Sequence, residues 1–169
     1  TLSHFMDTVQ DLTLRQALAW YTQRGAMGDL LDARTDALGS SRFVVFEMEE
    51  LMKKGDRNLI PVLSYLFHRI EKALDGKPAL LILDEAWVML GHPVFRDKIR
   101  EWLKVFRKAN CAVVLATQSL SDARNSGIMD VLMQSCPTKI YLPNRQARDD
   151  DEYAFYRGCG LNDRQIGIL

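Results

Sequence analysis

One uninterrupted hydrophobic run dominates the pattern of apolar and polar positions along the chain: Leu80-Leu-Ile-Leu83, with Ala79 before it and Asp84 and Glu85 after it. Large aliphatic residues without alternation are typical of a strand buried on both faces, as in the centre of a parallel sheet. Asp and Glu are poor strand formers and costly to bury, and ligands bind at the carboxyl ends of strands in open α/β sheets. The pattern therefore predicts a buried strand over 79–84 with a functional site at its end.

The rest of the sequence alternates between apolar runs of strand-like and helix-like period. This order favours an α/β fold in which a mostly parallel sheet, joined by right-handed crossovers, is flanked by helices. The longest predicted helix contains Pro61, which is expected in its first turn, where proline is tolerated. The predicted strands cover 43–48, 79–84, 112–117 and 139–142, and the predicted helices cover 49–54, 59–74, 93–108, 119–123 and 128–135.

The start of the chain, up to about residue 38, contains helical patterns and no strand-like run. Apolar residues recur there at helical spacing in stripes that begin at Leu2 and at Leu14. Two helices this short cannot complete a hydrophobic core by themselves. We therefore expect residues 1–40 to be part of an N-terminal helical subdomain and residues 41–169 to form part of the α/β core.

Composition limits the classes of partner. The chain has 22 basic and 22 acidic residues and a formal net charge of zero, so no overall field draws it to nucleic acid or anionic lipid. Its three cysteines lack the spacing of a metal site or a disulfide framework and are expected to be reduced, as in a cytosolic protein. The sequence shows no signal peptide and no apolar run of the roughly 18 residues that cross a bilayer, so it is expected to be soluble.

The end of the first hydrophobic run matches a motif. Four hydrophobic residues followed by Asp84 and Glu85 form the Walker B pattern of nucleotide hydrolases. In that chemistry Asp84 would hold Mg²⁺ through water, and Glu85 would polarise the water that attacks the terminal phosphate. The alternative is a buried strand whose acidic exit caps the helix that begins near Ala86. The motif alone leaves both interpretations open.

A second predicted strand also delivers polar groups at its carboxyl end. The strand over 112–117 leads to Thr117 and Gln118, about 30 residues after Asp84 and Glu85. If the two strands are parallel neighbours, these four residues share one sheet edge. That layout is typical of ATPases in which a polar sensor hydrogen-bonds the attacking water or the terminal phosphate. The alternative role of Gln118, a cap for the following helix, becomes the weaker interpretation.

Several stretches of the sequence are distinctive when they are taken together. They are Arg42-Phe-Val-Val-Phe-Glu-Met48, Pro61-Val-Leu-Ser-Tyr-Leu-Phe-His-Arg-Ile70, Leu81-Ile-Leu-Asp-Glu-Ala-Trp87, Ala116-Thr-Gln-Ser119 and Gln134-Ser-Cys-Pro-Thr-Lys-Ile140. Together they resemble the conjugal-transfer and type IV secretion ATPases of the TrbE/CagE type, within the RecA-like HerA/FtsK group. The resemblance runs over nearly the whole chain and implies a RecA-like P-loop NTPase core.

The resemblance also implies an enzyme that uses ATP and Mg²⁺ to drive assembly of, or transport through, a secretion or conjugation apparatus. Carried over by residue, Asp84 and Glu85 fit the Walker B pair, with Asp84 as the Mg²⁺ contact and Glu85 as the catalytic base. Gln118 fits the sensor, and Thr117 is expected to contact the nucleotide. Arg107 is a candidate arginine finger for a neighbouring subunit, although the helix dipole alone also favours a basic residue at a helix end.

Partners and location follow from the same resemblance. Members of the family are membrane-associated hexameric motors, so we expect a homo-oligomer, contacts with other components of the apparatus, and peripheral association with the cytoplasmic face of the bacterial inner membrane. Direct binding of nucleic acid stays open. One alternative function is a DNA-translocating motor or coupling protein of the HerA/FtsK group, which needs a basic pore lining that the dispersed charges here do not favour. Another is a nucleotide-independent assembly module.

The largest departure from the family pattern is an absence. A Walker A loop, GxxxxGK(S/T), supplies the backbone N–H groups and the lysine that hold the phosphates, and none of the ten glycines begins one. In the family this loop lies upstream of Walker B, so the absence favours a fragment that is inactive by itself and leaves a dead enzyme as the alternative. The strand order of the superfamily then predicts, across the sheet, 43–48, 79–84, 112–117, a vacancy and 138–142.

Overall fold

A computed structural model describes residues 1–23, 25–36, 38–39, 41–118 and 120–169, without the side chains of Trp87 and Val88. Ser119, which belongs to one of the stretches that carry the family resemblance, lies outside the described residues. The chain divides into two compact units, Thr1–Ala73 and Leu74–Leu169. These units are defined by contacts within one structure and do not show which segments fold separately. The predicted division into domains at 1–40 and 41–169 therefore stays a prediction.

The first unit is helical. Its longest helix is amphipathic and buries Leu59, Leu63, Leu66 and Phe67. Pro61 lies inside this helix and past its first turn, because the helix begins at Asp56 rather than near residue 59. The helices of this unit are α1 (Leu2–Thr8), α2 (Leu12–Ala19), α3 (Gly28–Leu31), α4 (Glu49–Met52) and α5 (Asp56–Ala73).

A buried carboxylate ties the first three helices of this unit together. Asp32 is 3 % exposed and accepts hydrogen bonds from the backbone N–H groups of Ser3 and Gln23, each at 2.9 Å, and from the Ser3 hydroxyl. Donors aimed at a carboxylate stabilise its charged form. The hydrogen bonds from Ser3, chiefly its hydroxyl, therefore lower the pKa of Asp32 to about 2.

The second unit contains a small parallel sheet with helices before and after each strand. Strand β1 (Ala79–Leu83) pairs with β2 (Cys111–Leu115), in a register that runs from Ala79 opposite Cys111 to Leu83 opposite Leu115. The predicted parallel pairing of these two segments is therefore confirmed. The helices are α6 (Ala86–Leu90), α7 (Pro93–Val105), α8 (Leu120–Asn125), α9 (Met129–Ser135), α10 (Asp150–Gly158) and α11 (Asp163–Ile166), and a 3-10 helix covers Phe106–Ala109.

Helix α7 provides much of the core of this unit. His92 caps its first turn by accepting the Val94 N–H, and Pro93 occupies the first helical position, where its missing donor costs nothing. Phe95, Ile99 and Trp102 project from one side of the helix and are 1 % exposed or less. Their burial fixes the helix that leads into the start of β2.

The two strands present an apolar face to solvent. Leu80 and Ile82 of β1 lie opposite Ala112 and Val114 of β2, and all four are exposed. The intervening residues of both strands are buried or half-buried, with Leu83 and Cys111 the most buried. The sequence predicted burial on both faces, which this face does not show.

The predicted strands at 43–48 and 139–142 are wrong. Within the described ranges, both segments are irregular and pair with no strand. Their apolar side chains are exposed, as at Phe43 (80 %) and Ile140 (82 %). A β-branched or aromatic sequence favours extended backbone, but a strand also needs a neighbour for its N–H and C=O groups. The two outer strands of the predicted order, 43–48 and 138–142, are therefore not formed in the described structure.

The part of the chain that the structure describes contains no helix both long and apolar enough to cross a bilayer.

Candidate functional site

The predicted site residues of β1 and β2 meet at one edge of the sheet. The strand ladder continues one step beyond the last strand pair, because the Ala116 N–H donates to the Leu83 carbonyl at 3.0 Å. Asp84 and Glu85 follow directly on one side, and Thr117 and Gln118 follow on the other. In a parallel pair the carboxyl ends of both strands face the same way. The sheet thus brings four polar residues to the edge where α/β proteins bind ligands.

Glu85 and Gln118 are in direct contact. The Gln118 side-chain amide donates to Oε1 of Glu85 across 33 residues of sequence. An ionised carboxylate only accepts hydrogen bonds, so the NH₂ end of the amide must face it. Both residues are exposed, so packing does not force them together. The contact was not foreseeable from local sequence, since it depends on the register of the two strands.

The backbone of Glu85 is in a rare conformation. Its φ is 49°, in the left-handed region, which is costly for a residue with a side chain. This turn ends β1 abruptly, before α6 begins at Ala86. Non-glycine residues held in this region are often found at functional sites, where the surroundings compensate for the strain. This backbone makes Glu85 a candidate functional residue.

Asp84 offers one exposed carboxylate to a ligand. Its Oδ1 accepts the Glu85 backbone N–H at 3.1 Å, which orients the side chain at the sheet edge. Mg²⁺ keeps several water ligands and is commonly held by one or two carboxylates together with substrate phosphates. A single oriented carboxylate fits that mode of binding. Among the described residues no cluster of three or more His, Cys, Asp or Glu side chains could hold a metal by itself.

Arg107 lies at the other end of the sheet. It belongs to the 3-10 helix Phe106–Ala109 that precedes β2, and it borders a groove with Pro78 and Cys111. A strand of five residues is roughly 15 Å long. The structure therefore does not bring Arg107 together with Glu85 and Gln118 within one chain.

Asn110 positions the start of the strand pair, although it was not among the predicted site residues. Its φ of 58° and ψ of 33° are left-handed, and its carbonyl accepts the Ala79 N–H at 3.0 Å. The side-chain amide donates to the Gly76 carbonyl at 3.2 Å. Asn tolerates this conformation better than most residues. An Asn between a helix end and a predicted strand was the available signal.

Comparisons with known proteins add the family context. A model of the TraG P-loop domain matches residues 8–164. The chain is 63 % identical over its whole length to the conjugal transfer protein TrbE of Rhizobium radiobacter, and covers 21 % of that protein. It is 32 % identical to the type IV secretion system protein virB4 of Bartonella quintana, over 94 % of the chain and 20 % of that protein.

A third relative is the type IV secretion system protein CagE of Helicobacter pylori, 48 % identical over 62 % of the chain and 10 % of that protein. The chain thus spans about a fifth of the length of the first two relatives and a smaller share of the third. No solved structure matches the chain.

Proposed function

Because the chain belongs to the family of TraG P-loop domains, we propose that it is the C-terminal part of an ATPase that powers type IV secretion or conjugative transfer. The observation that carries this proposal is the shared sheet edge, where Asp84 and Glu85 end β1 and Gln118 follows β2. Acidic and amide groups at the carboxyl ends of neighbouring parallel strands are typical of nucleotide hydrolysis sites. Relatives in conjugation and type IV secretion systems support the same assignment.

In the proposed mechanism Glu85 is the general base. Its carboxylate lies at the open edge of the sheet and can accept a proton from a water that attacks the terminal phosphate of ATP. Asp84, oriented by the Glu85 N–H, is the residue that would hold Mg²⁺ through water. The ion, when bound, neutralises charge that develops on the phosphate oxygens. Gln118 and Thr117 can offer hydrogen bonds to the terminal phosphate or to the attacking water.

Arg107 is proposed to act on a neighbouring subunit. Arg107 lies at the amino end of β2, away from Glu85 of its own chain, and is exposed. An arginine supplied by a second subunit can stabilise the charge of the transition state. This role requires a ring, and we propose a homohexamer in which the edge with Arg107 faces the edge with Glu85 of the next subunit.

The surrounding architecture is proposed to be a RecA-like core completed in the longer parent protein. The small parallel sheet, with helices before and after each strand, supports this proposal. A phosphate-binding loop, absent from this sequence, would come from another part of the parent. We also propose contacts with other components of the apparatus and peripheral association with the cytoplasmic face of the inner membrane.

The test is Glu85→Gln in the full-length parent protein. The exchange keeps size and hydrogen bonding but removes the base, so ATP binding should persist while turnover falls by at least about 10²-fold. Glu101→Gln is the matched control, since Glu101 is also exposed but lies on α7, and it should leave turnover unchanged. Unchanged turnover in Glu85→Gln contradicts the catalytic assignment. A parent that binds no nucleotide would favour an assembly module instead.

A further inference from the structure

We propose that Gln118 restrains Glu85 while no nucleotide is bound, and that the terminal phosphate of ATP releases this restraint. The inference rests on the proposed function and assigns a regulatory device to the same site. It starts from the hydrogen bond between the Gln118 amide and Glu85 Oε1. A base engaged by a neighbouring side chain is held away from the water it would activate.

The contact depends on the rigid strands and not on packing of the two side chains. Both side chains are exposed, and the strand ladder fixes the backbone just before each of them through the Ala116–Leu83 hydrogen bond of 3.0 Å. The two side chains are therefore presented to each other but remain free to take other rotamers. Breaking the contact needs no movement of the sheet.

The backbone of Glu85 can also adopt a conformation in which the contact with Gln118 is broken. At φ 49° the residue is in a conformation that side-chain-bearing residues avoid, so other backbone conformations are within reach when the contacts that hold it are lost. The described contacts are the Gln118 amide on the side chain and Asp84 Oδ1 on the backbone N–H. Removing one of them shifts the population toward the alternative conformations.

The terminal phosphate of ATP is a stronger competitor for the same donor. A phosphate carries more negative charge than a carboxylate and offers several acceptor oxygens to the Gln118 NH₂ group. ADP lacks that phosphate and leaves the Gln118–Glu85 contact in place. The restraint would thus distinguish ATP from ADP and free the base only when there is a phosphate to transfer.

A double-mutant cycle in the full-length parent tests the restraint through binding of a non-hydrolysable ATP analogue. Glu85→Ala frees the amide, so it should tighten binding of the analogue by about 5-fold, the scale of one net hydrogen bond, and should leave ADP binding unchanged. In the Gln118→Ala background the same substitution should have no effect.

The outcomes separate the possible explanations. Equal tightening by Glu85→Ala in both backgrounds means that charge repulsion alone explains the effect, and overturns the restraint. No tightening in either background also overturns it. If no variant and not even the unmodified parent binds nucleotide, the proposed function fails, and the restraint fails with it.

A measurement on the 169-residue chain tests the contact without nucleotide. The side-chain NH₂ resonances of Gln118 should shift in Glu85→Ala and stay in place in Glu101→Ala, where the exposed carboxylate removed lies on α7. Unchanged resonances in Glu85→Ala would mean that the contact does not exist in solution.

Discussion

The left-handed backbone of Glu85 predicts an unusual ranking of glycine and alanine variants. At φ 49°, a residue with a Cβ atom is strained by about 1–2 kcal/mol. Glycine avoids that strain. It loses more conformational entropy than alanine when the chain folds, however, which costs about 0.5–1 kcal/mol of stability. Both variants remove the carboxylate and its contact with Gln118, so the difference between their free energies of unfolding reports only the effect of the backbone conformation. Glu85→Gly should therefore be more stable than Glu85→Ala by about 0.5–1 kcal/mol.

Glu101 supplies the matched control. It is exposed like Glu85 but lies within the regular helix α7, where glycine is less stable than alanine by about 1 kcal/mol. The sign of the glycine–alanine difference should thus reverse between the two glutamates, with a total separation of roughly 1.5–2 kcal/mol. Urea unfolding of the four variants, followed by far-ultraviolet circular dichroism, measures this separation. If Glu85→Gly is less stable than Glu85→Ala, as expected at Glu101, the left-handed turn is not the conformation in solution.

Three further predictions concern other parts of the chain. Ile99 of α7 is fully buried. In urea titrations, Ile99→Ala should lower the free energy of unfolding by about 3 kcal/mol and Ile99→Val by only about 1 kcal/mol, and equal losses would contradict the burial of Ile99. Asp32 has its pKa lowered to about 2, so the stability it contributes is present above the ordinary pKa of 3.8 and is lost as pH falls toward 2. Thermal melts should show a smaller drop between neutral and acidic pH in Asp32→Asn, and an equal drop would refute the assignment. Arg107→Ala subunits mixed with Glu85→Gln subunits of the parent should recover ATPase activity at mixed interfaces, and no recovery from assembled mixtures would remove support for a finger acting between subunits.

The elements predicted well from sequence are those whose signal is complete within the element. Helices α5 and α7 carry a strong amphipathic period, and β1 and β2 carry short apolar runs bounded by polar residues. Two adjacent apolar runs separated by a helix favour parallel pairing, which the structure has. The shared sheet edge followed from that pairing, so the placement of Asp84, Glu85 and Gln118 was predictable.

The errors lie where structure depends on a partner outside the segment. The runs at 43–48 and 139–142 have strand-like composition, but no described strand lies beside them to accept their hydrogen bonds. The Glu85–Gln118 contact and the left-handed φ of Glu85 depend on how one strand end meets another. No pattern in the residues around Glu85 predicts such a turn, since glutamate is not among the residues that favour it.

The exposed sheet face affects how the chain behaves at high concentration. The exposed apolar side chains of this face are those of Leu80, Ile82 and Val114. Their backbone is held in hydrogen-bonded strands, so the side chains stay exposed to water. Such a face favours apolar association between copies of the chain. Salts such as sulfate, which strengthen apolar association, should promote association of chains through this face. This face should therefore lower the solubility of the chain, even though its charges are plentiful and balanced.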